Sequence, residues 1–287
     1  MRKFILLVLT LLVTIVFVRF LKNLNLERSS RAGIVREYYP NGQIQFEQHF
    51  HQGKKNGISR EFYETGALKS EALYIDDKKT YVFKEYYENG MLKTQDMYLA
   101  GKRNGSLKEY YRHGQLKTEA IYKDGLPQGI AKAYYQDGKL MSIEGYKNGK
   151  RDGISRGFYP NGHLAVLWSY KNDQYDGESR EYFDNDQWKS IWNYKDGVLD
   201  GEIKEFYGNG TLRRRAFYKN GKLFGTVKTF YRNGTLKAQG FYVNDQLFGA
   251  GLAYNDKGAL VAQANFKEET LDGPVKEYYF DGRLKKK

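Results

Sequence analysis

The stretch GSLKEYYRHGQLKTEAIY, from Gly105 to Tyr122, is the unit that the rest of the sequence repeats. A short connection, KDGLPQ, follows it, and the next copy begins at Gly129. Copies begin every 24 residues, at Gly33, Gly57, Tyr81, Gly105, Gly129, Gly153, Gly177, Gly201, Gly225, Gly249 and Gly273. A constant period indicates one supersecondary unit stacked on its neighbours, so we expect an elongated repeat array of about eleven units.

The pattern within each copy favours a β-hairpin. Counting from Gly105 as position 0, aromatic residues occupy positions 5, 6 and 17, and position 11 is usually leucine. Between them lie turn dipeptides such as Asn89-Gly90, which tolerate the positive φ of a two-residue type I′ turn. Such a turn would put position 6 opposite position 11, with positions 11, 15 and 17 on one face. We therefore predict an all-β fold of antiparallel hairpins.

Composition agrees with this prediction and excludes several kinds of site. The chain has 26 Tyr, 17 Phe and 31 Gly but only 4 Pro, which suits strands joined by tight turns. It has no cysteine, so disulfides and thiolate metal sites are excluded. The net charge of +13 is spread along the chain with cations beside acids, as at Lys84-Glu85 and Lys204-Glu205. We therefore do not expect a nucleic-acid partner.

The N-terminal residues differ from the repeats. An apolar run extends from Phe4 to Leu21, interrupted near its end by Arg19, and is long enough for a membrane-spanning helix. We expect an uncleaved signal anchor in residues 1–22, a linker in 23–32 and the array in 33–287; a cleaved signal peptide is the alternative. The array would then be extracytoplasmic, in the periplasm or at the cell surface, although a positive-inside count would leave it in the cytoplasm.

The stretch KEYYENGMLKTQDMYLAGKRNG, Lys84 to Gly105, resembles the MORN-variant repeat found in many bacterial proteins, including antitoxin-like ones. The resemblance covers about residues 33–284 and includes the turn glycines, the paired aromatics, the leucine and the second tyrosine. It implies an all-β array of hairpins used for binding, with no shared catalytic residues. MORN repeats of other proteins are associated with membranes, phospholipids and protein assembly.

Candidate functional residues are few. No catalytic, cofactor-binding or metal-binding motif is present, so we expect neither an enzyme nor a cofactor. The three tryptophans lie within 25 residues: Trp168 and Trp192 at position 15, which is usually small, and Trp188 at position 11. The predicted faces would cluster these tryptophans with Tyr170 and Tyr194. Such a cluster is either a repacked core strip or the hot spot of a partner-binding surface.

Together these features predict a membrane-tethered, non-enzymatic scaffold that binds another protein through a long β-surface. Two alternatives remain at this point: a module for cell-envelope polysaccharide or anionic lipid, and an antitoxin-like protein that neutralises a toxin. Pairing of two arrays into a homo-oligomer is also compatible with the pattern. Salt dependence separates the first two hypotheses, because binding to a polyanion weakens as salt rises.

Overall fold

The computed structural model describes residues 32–286, which form two compact units that meet in sequence at Leu126 and Pro127. Unit 1 here denotes residues 32–126 and unit 2 residues 127–286. All regular secondary structure in these residues is β-strand, which confirms the all-β prediction, and they contain no helix suited to crossing a membrane. The predicted anchor, and the linker up to residue 31, lie outside the described residues.

Successive strands of unit 1 pair antiparallel along the chain. The strands are β1 (Gly33–Tyr38), β2 (Ile44–His51), β3 (Lys54–Phe62), β4 (Leu68–Ile75), β5 (Lys78–Tyr86), β6 (Leu92–Leu99), β7 (Lys102–Tyr110) and β8 (Leu116–Lys123). The two-residue strand β9 (Leu126–Pro127) spans the boundary between the units.

Unit 2 repeats the same arrangement with shorter connecting strands. Its strands are β10 (Gly129–Tyr134), β11 (Leu140–Lys147), β12 (Lys150–Arg151), β13 (Gly153–Phe158), β14 (Leu164–Lys171), β15 (Gln174–Tyr175), β16 (Gly177–Tyr182), β17 (Trp188–Lys195), β18 (Val198–Leu199), β19 (Gly201–Phe206), β20 (Leu212–Lys219), β21 (Lys222–Leu223), β22 (Gly225–Phe230), β23 (Leu236–Val243), β24 (Gln246–Tyr254), β25 (Leu260–Lys267), β26 (Thr270–Leu271), β27 (Lys276–Tyr278) and β28 (Leu284–Lys286). These strands are also antiparallel to their neighbours.

The first turn of each repeat is a three-residue loop. In the repeat that begins at Gly105, the Tyr111 N–H donates to the Gln115 carbonyl and the Gly114 N–H donates to the Tyr111 carbonyl, both at 2.8 Å. Gly114 has a φ of +92°, which completes a type I turn followed by a left-handed residue. The predicted two-residue type I′ turn is wrong at this point, because Asn-Gly and its relatives suit this longer loop equally well.

The type I′ turn occurs instead in the connection between hairpins. Asn148 and Gly149 have φ of +51° and +85°, and the flanking residues Lys147 and Lys150 are direct partners in the ladder. Two consecutive left-handed residues between paired strands are the signature of that turn. Each unit therefore alternates a three-residue turn at one margin with a two-residue turn at the other.

A β-bulge next to the first turn changes which residues share a face. Glu109 pairs with Thr118, but Tyr110 pairs with Leu116, so that Lys117 is an extra residue in β8. An inserted residue shifts the alternation of side chains beyond it by one. Position 11 therefore lies opposite position 5 rather than position 6, and it is on the other face from positions 13, 15 and 17. The predicted common face for positions 11, 15 and 17 is wrong for this reason.

The core lies on one face of the strands, called here the inner face, which carries positions 2, 4, 13, 15, 17 and 22. In unit 2 its centre is Ile203, Ala216 and Val227, with Ile203 fully buried. Leu199 and Leu223, both at position 22 of the connection, pack against this centre. The connection thus covers the hairpins and contributes to the core. The opposite, outer face carries positions 1, 3, 14 and 16.

Side chains at the first turn bond each hairpin to the next. The tyrosine hydroxyl at position 6 donates to the carbonyl at position 5 of the following repeat over 2.6–2.9 Å, as from Tyr39 to Phe62 and from Tyr207 to Phe230. The turn asparagine adds a second bond: Asn41 Nδ2 donates to the Glu64 carbonyl at 2.9 Å. Both bonds satisfy backbone carbonyls at the strand ends.

Candidate partner-binding surfaces

The structure places four of the five residues predicted to form an aromatic cluster on one face; ring contacts join three of them, and Trp192 packs against the Ile203 centre. Trp168 and Tyr170 lie on β14, and Trp192 and Tyr194 lie on β17, all on the inner face of unit 2. Tyr175 joins the two strands, because its ring stacks on Tyr170 at 4.7 Å and on Tyr194 at 4.9 Å between centroids. The edge of Trp168 meets the same ring at 6.1 Å.

Trp188, the fifth predicted residue, does not join this cluster. It follows the bulge, pairs with Tyr182, and packs against the ring of Phe206 at 5.7 Å between centroids. Its side chain is 47% exposed, whereas Tyr170 is only 4% exposed. The prediction that Trp188 clusters with the other two tryptophans is therefore wrong, and the cause is the extra residue in the strand.

Trp168 and Trp192 are large residues that lie opposite small ones on the neighbouring strand. Trp168 pairs with Ser155 and Trp192 with Ser179, and both serines are buried. Other repeats reverse the sizes: Leu107 pairs with Ala120, and Ile203 with Ala216. Because one residue of each pair is large and the other small, the interior between positions 2 and 15 stays filled. The geometry therefore favours packing as the role of these two tryptophans.

Burial in the cluster affects the phenol groups. Burial raises the pKa of Tyr170, and the nearby Tyr175 hydroxyl adds to the rise while the Arg151 guanidinium opposes it. Burial is also the main reason that the pKa of Tyr194 is raised. The Arg151 guanidinium lies 4.3 Å from the Tyr170 ring and donates to its hydroxyl at 3.0 Å. These phenols stay neutral at physiological pH and act as packing and hydrogen-bonding groups.

The inner face of unit 1 places cations where the later repeats of unit 2 place leucine. Position 22 is Lys55, Lys79 and Arg103, and each cation lies over the aromatic ring at position 17 of the next repeat, at 4.9–5.3 Å from the ring centroid. Lys79 also lies 3.9 Å from the Phe83 ring. Such cation–π contacts stabilise half-buried cations. They also cover ring faces that a sugar ring would need for stacking.

A buried carboxylate accompanies these cations. Asp96 is 1% exposed, and its Oδ2 accepts a hydrogen bond of 2.7 Å from Arg103 Nε. Burial lowers the pKa of Lys79, and the Asp96 carboxylate works against that decrease. The pair is structural, because Asp96 occupies position 15 opposite Phe83, inside the strand packing.

The outer face of unit 1 carries a group of exposed apolar side chains. This apolar patch consists of Ile58, Ile75, Val82, Met97, Leu99 and Ile121, all at least 38% exposed. The pairs Val82–Met97 and Glu71–Lys84 place β3 to β6 on one continuous face. Lys54, Lys78 and Lys102 lie along its margin, next to the connecting turns. In unit 2 the same positions include Glu178 and Glu202, which interrupt the apolar row.

The glycine at the start of the repeat that follows Met97 lets this face pack closely. Gly105 has a φ of +115°, and a Cβ there would lie 2.9 Å from Met97 Sδ and 3.0 Å from Met97 Cβ. An L-residue would be strained at this φ and would also collide with the patch residue. Within residues 32–286, no group of three or more His, Asp or Glu side chains is arranged to hold a metal ion.

Comparison with known families gives a clear result. The family model described as the MORN repeat variant matches nine segments: residues 31–52, 55–76, 82–100, 103–124, 127–148, 151–172, 175–196, 199–220 and 225–244. These segments include well over half of the chain. The chain belongs to the MORN repeat variant family. MORN repeats generally act as interaction modules for proteins and membrane lipids.

No curated protein matches the MORN array described here. Similar solved structures include a TcdB2-TccC3 complex, at 12% identity and a TM-score of 0.20, and the Photorhabdus luminescens Tc holotoxin pore, at 13% and 0.18. Each comparison covers 88% of this chain but only 17% and 16% of the other chains. The chain therefore spans less than a fifth of the length of those proteins.

Two features of these MORN repeats were missed by sequence reasoning. Position 22 was treated as part of a linker, although it changes from Lys55, Lys79 and Arg103 to Leu199 and Leu223 along the chain. That trend was the available signal that the connection packs on the inner face. The apolar patch was missed because the sequence does not show which strand positions are paired. In the structure Ile58 and Val82, at position 1, pair with Leu73 and Met97, at position 16.

Proposed function

We propose that this protein is a non-enzymatic MORN-repeat scaffold, tethered to a membrane by residues 1–22, that binds another protein. The observation that carries the proposal is the apolar patch of unit 1. Six large apolar side chains on one face of adjoining strands form a surface of the kind that marks interaction sites in soluble proteins. The extracytoplasmic location of the repeats is part of the proposal and depends on the N-terminal sequence.

The form of the patch supports a protein partner. Its exposed members are apolar, and ion pairs such as Arg60–Glu71 at 2.7 Å lie beside them, which resembles the apolar centre and polar rim of protein interfaces. The inner face is less accessible around the aromatic cluster and the cations at position 22, which fill it there. The proposed binding surface is therefore the outer face rather than the predicted tryptophan cluster.

The experiment compares capture by the full-length protein and by two matched variants. Val82→Glu places a charge in the apolar patch of unit 1, and Ile154→Glu places the same charge at position 1 of unit 2. Partners are crosslinked in native membranes, washed at high salt and identified by mass spectrometry. We expect one protein in near-stoichiometric amount with wild type and Ile154→Glu, and at least a tenfold loss with Val82→Glu, at unchanged melting temperature.

Recovery of lipid or glycan alone, or equal loss with both variants, would contradict the scaffold proposal. The second candidate function is binding of anionic lipid, which is favoured by the exposed Lys54, Lys78 and Lys102 beside the patch. Vesicle binding that falls steeply with salt and disappears when these lysines are changed to glutamine would support that candidate instead.

A further inference from the structure

The inner face of unit 2 has an open apolar cleft of about 330 Å³ across β22 to β25. Small residues form much of its lining: Gly251 pairs with Ala264, and Ala253 pairs with Ala262. Leu247 and Phe266 also line it, and a Cβ on Gly251 would lie 3.0 Å from the Phe266 ring. The volume is at the lower end of the range for ligand-binding pockets.

The cleft exists because the paired residues at positions 2 and 15 of this repeat, Gly251 and Ala264, are both small. In several other repeats one member of the pair is large, as with Trp192 opposite Ser179 and Ile203 opposite Ala216, whereas Ser59 opposite Ala72 in unit 1 is also a small pair. In the repeat that begins at Gly249, both members are small. The ring of Phe266 lies against Gly251, and the cleft lined by Ala253, Ala262 and Ala264 stays open beside it, although the backbone register is the same.

The tryptophan repeats show which group fits this space. Trp168 lies between its partner Ser155 and the position-22 residue Tyr175, whose ring it meets at 6.1 Å. The equivalent neighbours in the cleft repeat are Gly251 and Leu271. Leu271 is 49% exposed, whereas Leu199 and Leu223 at the same position are packed into the core.

We propose that the cleft binds an aromatic side chain of a protein partner, docked where the indoles of Trp168 and Trp192 lie in their own repeats. The lining contains no charged side chain, so a neutral planar group is favoured over an acidic or basic one. Aromatic anchors in apolar pockets commonly dominate protein interfaces. This inference rests on the proposed protein-binding function and adds a second, chemically defined contact to it.

The test uses N-acetyltryptophanamide as the probe and the Leu247 methyl groups as the reporter, with the full-length protein labelled for NMR. We expect the probe to shift the Leu247 methyl resonances in wild type, and N-acetylalaninamide to leave them unchanged. Ala264→Trp should remove the response, because the introduced indole fills the cleft from within, and should raise the melting temperature. Asn265→Trp, which adds an indole on the outer face of the same strand, should keep the response.

The same variants are then compared in partner capture. Loss of at least tenfold with Ala264→Trp but not with Asn265→Trp supports the inference. No methyl shift with the probe, or an equal shift in a folded Ala264→Trp protein, would overturn it. If Val82→Glu abolishes capture while Ala264→Trp leaves it intact, the inference fails and the scaffold function stands. If wild type captures no protein, both fail, whatever the probe does.

Discussion

At the scale of single residues, the tyrosine at position 6 bonds each hairpin to the next. Phe183 is a natural exception, because it has the turn geometry of the other repeats but no hydroxyl; its N–H donates to the Gln187 carbonyl at 2.8 Å. Phe183→Tyr should add a hydrogen bond to the Phe206 carbonyl. We expect unit 2 to be stabilised by about 1 kcal/mol.

Urea denaturation followed by circular dichroism measures this change. Tyr159→Phe is the matched control, since it removes the 2.8 Å bond from the Tyr159 hydroxyl to the Tyr182 carbonyl and should destabilise the same unit by a similar amount. Equal stability of the wild type and both variants would show that the hydrogen bonds of these hydroxyls in the folded protein are no stronger than their hydrogen bonds to water in the unfolded protein.

Asp137 gives a pH-dependent prediction for a turn. Its pKa is lowered, chiefly because the Lys139 N–H donates to the carboxylate at 3.0 Å. A lowered pKa means that the charged form stabilises the fold at pH values above the ordinary pKa of an aspartate. This contribution is lost as the pH falls through the lower, folded-state value.

NMR titration of the Asp137 side chain should therefore give a pKa below that of a model peptide. Asp137→Asn should remove this titration and leave the turn intact, because asparagine takes the same place in Asn161 and Asn209. A pKa equal to or above the peptide value would rule out the turn hydrogen bond as the cause.

At the scale of the strand pair, the sizes of positions 2 and 15 are coupled. Trp168→Ala should leave a cavity opposite Ser155 and destabilise unit 2 by about 2–4 kcal/mol. Adding Ser155→Leu, which copies the pair Leu107 and Ala120, should recover more than half of that loss. Thermal unfolding of the single and double variants measures the coupling. Unchanged stability of the Trp168→Ala protein would favour a binding role for Trp168 over a packing role.

The strand pair also shows what the sequence could predict. Tyr110 and Leu116 were expected in a hairpin, and the strands, their antiparallel pairing and the 24-residue period follow from the sequence alone. The face of position 11 was predicted incorrectly, because the bulge at Lys117 leaves no mark in the hydrophobic pattern. The position of Trp188 could therefore not be predicted without the strand register, whereas the contact between Tyr170 and the neighbouring strand could.

At the scale of the whole molecule, a repeat array should respond locally to a perturbation. Arg103→Leu removes the hydrogen-bonding partner of buried Asp96 and should destabilise that part of unit 1 by about 2–3 kcal/mol, less than for a fully buried pair because Arg103 is 41% exposed. Hydrogen exchange should accelerate in strands β4 to β8, next to the change. Strands β19 to β23 of unit 2 should keep their wild-type rates.

Exchange rates that rise uniformly through residues 32–286 would show instead that the chain unfolds as one cooperative body. The double variant Asp96→Ala, Arg103→Leu is the control, since removing both charges avoids the unpaired carboxylate. It should restore most of the protection lost in the single variant. Unchanged loss in the double variant would assign the effect to packing of the Arg103 side chain.

The side-chain bonds at the first turn have an evolutionary consequence. Each joins a residue to a backbone carbonyl 23 positions later, as from Tyr135 to Phe158 and from Asn233 to Asp256. Deleting or duplicating any 24 consecutive codons within a unit would bring an equivalent donor beside an equivalent acceptor. Recombination between homologous repeats can therefore change the length of the array while the contacts between neighbouring repeats stay the same. Specialised pairs such as Asp96 with Arg103 would be inherited or lost as a whole, so the number of repeats can vary faster than their chemistry.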